Sequence, residues 1–232
     1  MTEAKKIAVI GAGWAGCSAA VELAIAGHAV TLFESSRTLG GRARAVEIQG
    51  KLLDNGQHIL LGAYTEILRL LKTIGAAADD ALLRLPLQMR YPSGCDGMDF
   101  VVPRLPAPLH LLAALLRATG LSGADKMALA RFSTTARWMD WRLHTDCSVS
   151  ELLERFDQTE RLIKLMWQPL CIAALNTPPE RASAQVFLNV LRDSLGATRA
   201  ASDMLIPRTD LTSLLPQQAA AFIEQNKGFV KA

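Results

Sequence analysis

The chain has 232 residues, of which half are hydrophobic and a fifth are charged, with a formal net charge of +3 at pH 7. This composition is that of a globular protein large enough to bury one large or two small cores. The basic residues are scattered and form no block interleaved with aromatic residues, which argues against nucleic acid as a partner.

The four cysteines, Cys17, Cys95, Cys147 and Cys171, form no closely spaced pair, and no histidine lies at metal-ligand spacing from them. We therefore predict reduced thiols and no metal site, as is usual for a cytoplasmic protein. No stretch reaches the roughly 18 uncharged apolar residues that a membrane-spanning helix needs.

The first elements form a βαβ pattern. Ile7–Ile10 is a short apolar run of the kind found in buried parallel strands, and Trp14–Ala26 has a helical composition that stops at Gly27. Ala29–Phe33 is a second apolar run. Strand, tight turn, helix and strand within about thirty residues give the glycines of the turn a dinucleotide-binding context.

Gly11, Gly13 and Gly16 form a Gly-x-Gly-x-x-Gly motif between the first strand and the helix. They permit the tight turn, the approach of a pyrophosphate and close helix–strand packing, respectively. The helix start at Trp14 and Ala15 offers free N–H groups to the phosphates. Glu34 follows the second strand, where its carboxylate can accept hydrogen bonds from ribose hydroxyls and would repel a 2′-phosphate. These residues predict a dinucleotide and leave NAD and FAD open.

Later elements follow in a different order. The segment 45–50 is typical of a strand, Thr65–Ile74 of a helix and residues 87–103 of a β-hairpin. Helices dominate from Pro106 onward, with a capping box at Ser148 and Glu151 and helix starts near Asp210 and Pro216. The final residues, 229–232, are typical of the beginning of another strand.

The segment ESSRTLGGRARAVEIQG, residues 34–50, resembles the FAD-binding region of the flavin amine oxidase and phytoene desaturase superfamily. The resemblance implies that this loop runs beside the flavin pyrophosphate. Gly40 and Gly41 would allow close backbone approach, and Arg42, with Arg37 nearby, would neutralise phosphate charge. The resemblance therefore favours FAD.

Three further stretches resemble the hydroxysqualene dehydroxylases, also called squalene-associated FAD-dependent desaturases: LDNGQHILLGAY (53–64), WQPLCIAALNTPPERASAQVFLNVLRD (167–193) and SDMLIPRTDLTSLLP (202–216). The resemblance implies an enzyme of hopanoid or squalene synthesis that removes the hydroxyl of hydroxysqualene by hydride transfer from reduced flavin. Alternatives are a carotenoid-type desaturase, an amine oxidase and a non-catalytic remnant.

Candidate catalytic residues lie in Asp54-Asn55-Gly56-Gln57-His58. By the superfamily resemblance this region lies near the flavin ring, where Asp54 or His58 could protonate the leaving hydroxyl. Gly56 and Gln57 are predicted to contact the flavin. The competing interpretation is that Asp54 satisfies backbone groups in a turn and that His58 is an ordinary interior histidine.

The resemblance also implies a domain organisation. The fold class is α/β, with a Rossmann-type FAD-binding βαβ unit and an inserted, mainly helical substrate domain. We expect an N-terminal FAD-binding part at 1–84, a helical substrate domain with a β-hairpin at 85–207, and a return to the FAD domain at 208–232. Members of the family are longer, so we expect an N-terminal portion, an incomplete FAD domain, an uncovered sheet face and a complementary C-terminal chain as partner.

The substrate domain offers two features with two interpretations each. Leu105–Leu121 is apolar on nearly every face, which is typical either of a buried helix or of a peripheral membrane patch at the inner face of the membrane, through which an isoprenoid would enter. Trp138, Trp141 and Trp167 could wall a hydrocarbon tunnel or pack in a core.

Overall fold

The computed structural model of the protein describes residues 3–56, 58–76, 78–91 and 97–232. The chain divides into two compact units. The first comprises Met1–Leu60, Tyr64–Leu85 and Leu205–Ala232, and the second comprises Leu61–Ala63 and Pro86–Met204.

The elements up to residue 85 are strands and short helices. In chain order they are β1 (Lys6–Ile10), α1 (Trp14–Ile25), β2 (Ala29–Phe33), β3 (Ala45–Ile48), β4 (Lys51–Asp54), β5 (Leu60–Leu61), α2 (Thr65–Thr73), α3 (Ala78–Ala81) and β6 (Leu82–Leu85). The strand–helix–strand prediction for residues 7–33 is confirmed, including Gly27 with its left-handed φ of 84° after the helix.

The next segment is mainly helical. It contains β7 (Gln88–Arg90), β8 (Asp99–Val101), α4 (Leu109–Arg117), α5 (Gly123–Trp138), α6 (Val149–Arg155), α7 (Glu160–Leu162), α8 (Gln168–Leu175) and α9 (Ala184–Leu191). Residues 163–167 and 192–196 are π-helical, and Arg199–Ser202 form a 3₁₀ turn. The last elements are β9 (Met204–Pro207), α10 (Leu211–Leu214), α11 (Pro216–Gln225) and β10 (Phe229–Lys231).

The first unit is built on a parallel sheet in the order β1-β2-β10. Helices α1 and α11 pack on one face, where Val30 and Leu32 of the central strand are buried. The other face carries Ile10, which is 80% exposed, and Phe229, which is 66% exposed. Parallel sheets are normally covered on both faces. One face of this sheet is therefore uncovered among the described residues.

Two antiparallel hairpins and a further small sheet complete the strands. β3 pairs with β4, β7 pairs with β8, and β5, β9 and β6 lie side by side in that order. The predicted hairpin at 87–103 is confirmed by the pairing of Met89 with Phe100. The predicted return strand at 229–232 is confirmed by β10, which runs parallel to β2.

The second unit has its own apolar core. Trp167 is buried at its centre, with its ring centroid 4.7 Å from that of Phe132. The indole Nε1–H donates to Oε1 of Gln158 at 2.9 Å, so the one polar atom of the indole is satisfied inside the core. The capping box predicted at Ser148 and Glu151 is present at the start of α6.

Candidate functional site

The turn between β1 and α1 is closed by glycines for steric reasons. Gly11 has a φ of 94°, and its N–H donates to the carbonyl of Phe33 at 2.7 Å, which ties the turn to β2. A Cβ on Gly16 would lie 1.8 Å from the carbonyl oxygen of Gly11. Only glycine at position 16 lets the helix approach the strand this closely.

The N-cap residue of α1 is Gly13, so the helix start has no side-chain cap. Its first turn also contains no acidic residue. The first N–H groups of the helix, at Trp14 and Ala15, thus create a positive electrostatic potential in front of the helix start. The indole of Trp14 points elsewhere, and its Nε1–H donates to the carbonyl of Ala43 at 3.1 Å. This bond fixes the loop that follows β2 against the helix start.

The second glycine loop contacts the first, backbone to backbone. The N–H of Gly40 donates to the carbonyl of Ala12 at 2.8 Å, and Gly13 and Gly40 form a parallel bridge. A Cβ on Gly41 would lie 3.2 Å from the Cα of Gly13. The two loops therefore form a cradle without side chains, which fits the close approach of a pyrophosphate.

Glu34 lies beside this cradle at the end of β2. Its carboxylate accepts hydrogen bonds from the backbone N–H groups of Ser36, at 2.9 Å, and Ala12, at 2.8 Å. These two bonds, first that of Ser36 and then that of Ala12, lower the pKa of Glu34 below its ordinary value. The carboxylate is thus ionised at neutral pH and can accept further hydrogen bonds from ribose hydroxyls.

The two predicted phosphate-binding arginines are exposed. Arg37 lines a cleft of about 420 Å³ together with Thr38, Thr212 and Glu224. The carbonyl of Arg42 accepts a hydrogen bond from Nδ2 of Asn55 at 3.1 Å. Within the described ranges no ion pair holds either guanidinium, so both can turn toward a bound phosphate.

The predicted catalytic stretch lies next to the Gly-Gly-Arg loop, because the N–H of Asn55 donates to the carbonyl of Arg44 at 2.8 Å. Oδ1 of Asp54 accepts from the N–H of Leu211 at 2.8 Å, which is the backbone-satisfying role weighed for this residue. Gly56 has a φ of 92°, and His58 is exposed. His58 is therefore exposed rather than interior among the described residues. Gln57 lies outside the described residues.

Thr212 is a residue of this site for which the sequence carried no signal. Its hydroxyl oxygen accepts from the N–H of Ala45 at 2.8 Å and lies 3.3 Å from the carbonyl oxygen of Leu39, to which it donates. It thereby anchors the loop that contains the second glycine pair. The partners lie 167 and 173 residues away along the chain, and no local pattern reports such a contact.

The second unit contains an apolar cavity of about 480 Å³ that is partly open to solvent. Its walls come from the hairpin, α4, α5, α8 and α9, and the three tryptophans weighed above, Trp138, Trp141 and Trp167, all line it. Trp141 and Trp167 are buried, whereas Trp138 is 92% exposed. The cavity volume lies in the range of small-molecule sites.

The apolar segment at 105–121 is helical only from Leu109 to Arg117. Pro106 and Pro108 lie directly before the helix. Because proline is tolerated at a helix start and not within a helix, the helix begins after them. One face of α4 buries His110 and Ala114, while Leu109, Leu112 and Leu116 are exposed. The helix thus has one buried and one exposed face. Over the part of the chain that the structure describes, no helix is long and apolar enough to cross a membrane.

Comparison with known proteins identifies the family. The sequence profile of the flavin containing amine oxidoreductases matches residues 14–204. The chain belongs to the flavin-containing amine oxidoreductase family. FAD is therefore the cofactor, as the Gly40-Gly41-Arg42 loop predicted, and the choice between NAD and FAD is settled.

Two curated relatives match most of the chain. A zeta-carotene desaturase of Zea mays is 32% identical over 213 residues, which is 86% of this chain and 37% of the desaturase. A hydroxysqualene dehydroxylase of Zymomonas mobilis is 29% identical over 231 residues, which is 97% of this chain and 50% of the dehydroxylase. The chain thus spans half or less of the length of these relatives.

A solved structure of an oxidoreductase from Methanosarcina mazei shares the fold, with a TM-score of 0.65 and 18% sequence identity. The match covers 98% of this chain and 50% of that protein. The predicted α/β fold class is confirmed.

Proposed function

We propose that this chain supplies the FAD-binding loops and the substrate cavity of an oxidoreductase that removes the hydroxyl of hydroxysqualene to give squalene. The observation that carries the proposal is the apolar cavity of about 480 Å³ in the second unit. A long isoprenoid needs such a water-poor, aromatic-walled space. The hydroxysqualene dehydroxylase of Zymomonas mobilis supports it, because the match spans 97% of this chain.

The glycine cradle fits the cofactor. In the proposed enzyme Gly11, Gly13 and Gly16, with the N–H groups of Trp14 and Ala15, hold the pyrophosphate, and Glu34 binds the ribose. The second loop, Gly40-Gly41-Arg42, and Arg37 add close backbone contact and positive charge. The reduced flavin supplies a hydride when it is bound.

In the proposed reaction the protein contributes an apolar binding site for the substrate and a proton for its leaving hydroxyl. The hydroxyl accepts a proton and leaves as water, and the allylic cation that remains takes up a hydride, so the substrate is reduced by two electrons. The apolar cavity of the second unit, with Phe132, Trp141 and Trp167 among its walls, would hold the hydrocarbon chain of the substrate. We propose His58 as the proton donor. Asp54 is the second candidate, although its carboxylate already holds the N–H of Leu211.

A second candidate is desaturation of a carotenoid. The zeta-carotene desaturase of Zea mays favours it, because its identity to this chain, at 32%, is the higher of the two. That reaction withdraws hydride from a hydrocarbon, whereas the dehydroxylation delivers hydride to a cation. The two proposals therefore require opposite oxidation states of the flavin at the start of turnover.

The experiment separates the two directions. The chain is purified, loaded with FAD, reduced under argon and incubated with hydroxysqualene in detergent, and squalene is measured by gas chromatography. In parallel, the oxidised protein receives ζ-carotene and the flavin absorbance is followed. Squalene formed only with reduced flavin supports dehydroxylation. Bleaching by ζ-carotene without squalene formation supports desaturation, and the absence of both products contradicts an activity of this chain alone.

We further propose that the second unit contacts an anionic membrane. Leu112 is 52% exposed and Leu116 is 67% exposed on one face of α4, and Trp138 lies exposed at the cavity. Segment 104–142 contains Arg104, Arg117, Lys126, Arg131, Arg137 and Arg142 against Asp125, which is buried, and Asp140. Basic residues beside an apolar helix face are typical of peripheral membrane contact.

Sedimentation with vesicles containing phosphatidylserine tests this contact. The double change Leu112→Gln and Leu116→Gln should reduce the fraction bound severalfold, because two exposed leucines leave the interface. Leu52→Gln, which alters an exposed leucine of the first unit, is the matched control and should bind as the unchanged protein does. Equal binding of all three proteins would contradict the contact.

We also propose a complementary polypeptide as partner of the uncovered sheet face. Ile10 and Phe229 lie exposed on that face, and relatives of about twice this length support additional sheet-covering segments. Co-expression with the unmatched half of the Zymomonas mobilis dehydroxylase tests the idea by co-purification. Ile10→Lys should abolish retention, while Ile48→Lys, at an exposed isoleucine of β3, should not. Retention that is insensitive to Ile10→Lys argues against this face.

A further inference from the structure

The cavity of the second unit is apolar except along one strip of α5. Among the described residues that line it, Arg137 is the one charged side chain, and Ser133 and Thr134 are the hydroxyl-bearing ones. The hydroxyl of Ser133 donates to the carbonyl of Leu129 at 2.9 Å, and that of Thr134 donates to the carbonyl of Ala130 at 2.8 Å. Both hydroxyl protons are therefore used inside the helix.

Arg137 thus supplies the charged donors of the cavity, beside the indole N–H groups of Trp138 and Trp141. Its guanidinium carries five N–H groups and no acceptor. Across the described ranges no ion pair or hydrogen bond engages these groups, and the side chain is exposed. It lies one helical turn beyond Ser133 and next to the exposed Trp138, so it marks the polar end of an otherwise apolar space.

Arg137 also acts electrostatically on a buried histidine of the second unit. His110 on α4 is completely buried, and within the described residues neither ring nitrogen has a hydrogen-bond partner. Burial lowers its pKa, and the positive charges of Arg199 and Arg137 lower it further, against an opposite effect of Asp203. Asp203 is itself paired with Arg199 at 3.0 Å.

We propose that Arg137 is a specificity-determining residue that holds the single oxygen-bearing head group of an otherwise apolar, long-chain ligand in this cavity. The inference rests on the proposed function for the identity of the ligand: an isoprenoid alcohol would bind in preference to a hydrocarbon of the same length. A pure hydrocarbon such as a carotene gains nothing from Arg137.

Arg131 provides the comparison that separates this role from surface charge. It lies on the same helix, is exposed, and does not line the cavity. Its nearest ion pair, with Asp157, is long at 4.0 Å. A general effect of positive charge on α5 would appear in both arginines, whereas recognition of a head group in the cavity involves Arg137 alone.

The test uses displacement of the neutral dye Nile red by three chains of equal length: dodecane, 1-dodecanol and dodecanoate. In the unchanged protein, 1-dodecanol should bind about three- to tenfold more tightly than dodecane, the ratio expected of one net hydrogen bond, and dodecanoate at least as tightly as the alcohol. Arg137→Met should bring the three affinities within about twofold and leave that of dodecane unchanged. Arg131→Met should retain the preference.

The outcomes distinguish the inference from the function on which it rests. Equal binding of dodecane and 1-dodecanol to the unchanged protein, or a preference that survives Arg137→Met, overturns the role of Arg137 and leaves the cavity as the substrate site. Failure of every chain to displace the dye contradicts the cavity itself and the proposed function with it. Unchanged affinity of Arg137→Met for dodecane shows that this variant is folded, and Arg137→Lys, which keeps the charge, should retain a preference for dodecanoate.

Discussion

The change Gly16→Ala tests the central packing argument of the FAD-binding unit. The added Cβ would lie 1.8 Å from the carbonyl oxygen of Gly11 and 3.1 Å from its carbonyl carbon. Both are backbone atoms of a turn that the bond from Gly11 to the carbonyl of Phe33, at 2.7 Å, holds in place. Relief therefore requires α1 to move away from β1 by roughly 1 Å or more in a close-packed interior.

The expected cost follows from two opposing terms. Overpacking of this kind costs about 1–3 kcal/mol, and a clash with backbone lies at the upper end. Alanine within a helix recovers about 1 kcal/mol relative to glycine. We therefore expect Gly16→Ala to lower the free energy of unfolding by about 2 kcal/mol. Because the proposed pyrophosphate site includes the start of α1, the same change should also weaken FAD binding.

Urea unfolding followed by circular dichroism measures the first effect, and titration with FAD measures the second. A loss of about 2 kcal/mol corresponds to a midpoint shift of about 1 M urea. Gly123→Ala is the matched control, because a Cβ at the start of α5 meets nothing within 4 Å and the unfolded-state effect of the substitution is the same. If Gly16→Ala unfolds at the same urea concentration as Gly123→Ala and binds FAD equally well, the close-approach argument is wrong.

Three further outcomes are expected. The backbone hydrogen bonds of Glu34 lower the pKa of its carboxylate. Its stabilising contribution is therefore present above the ordinary glutamate pKa of about 4.3 and is lost as the pH falls below that value. Between about pH 6 and 3, the Tm of the unchanged protein should fall more than the Tm of Glu34→Gln. Cys17 is fully buried, and burial is the main cause that raises its pKa to about 11. Its thiol should therefore resist iodoacetamide at a pH near 8 until urea unfolds the unit, which peptide mass mapping measures. Rapid labelling of the native protein would contradict its burial. Thr212→Val leaves the N–H of Ala45 without its acceptor and should lower the unfolding free energy by about 1–3 kcal/mol, whereas Thr212→Ser should be close to neutral in the same urea assay.

Local sequence patterns were sufficient to predict the strands and the helix around the first glycine loop. The spacing of Gly11, Gly13 and Gly16 between two apolar runs predicted the strand–turn–helix–strand order, because short apolar runs and glycine turns are properties of adjacent residues. The same holds for the capping box at Ser148 and for the N-cap Asp210, whose side chains bond to backbone groups within the next turn.

Faces of elements were harder to predict than the elements themselves. The sequence of α4 is apolar all round, so its composition alone could not distinguish the buried side with His110 from the exposed side with Leu112 and Leu116. Which side is buried depends on the helices and strands that pack against it, and these come from distant parts of the chain.

By itself, the sequence determined the glycine turn, the position of Glu34 at the end of the second strand and the α/β class, since each rests on residues within a few tens of positions. Only the tertiary structure decided that Thr212 anchors the loop before Ala45 and that Arg137 is the charged residue of an apolar cavity. The physical reason is that a hydrogen bond or a cavity wall depends on which distant groups meet in space. The sequence around a single threonine or arginine does not indicate which distant residues it will contact.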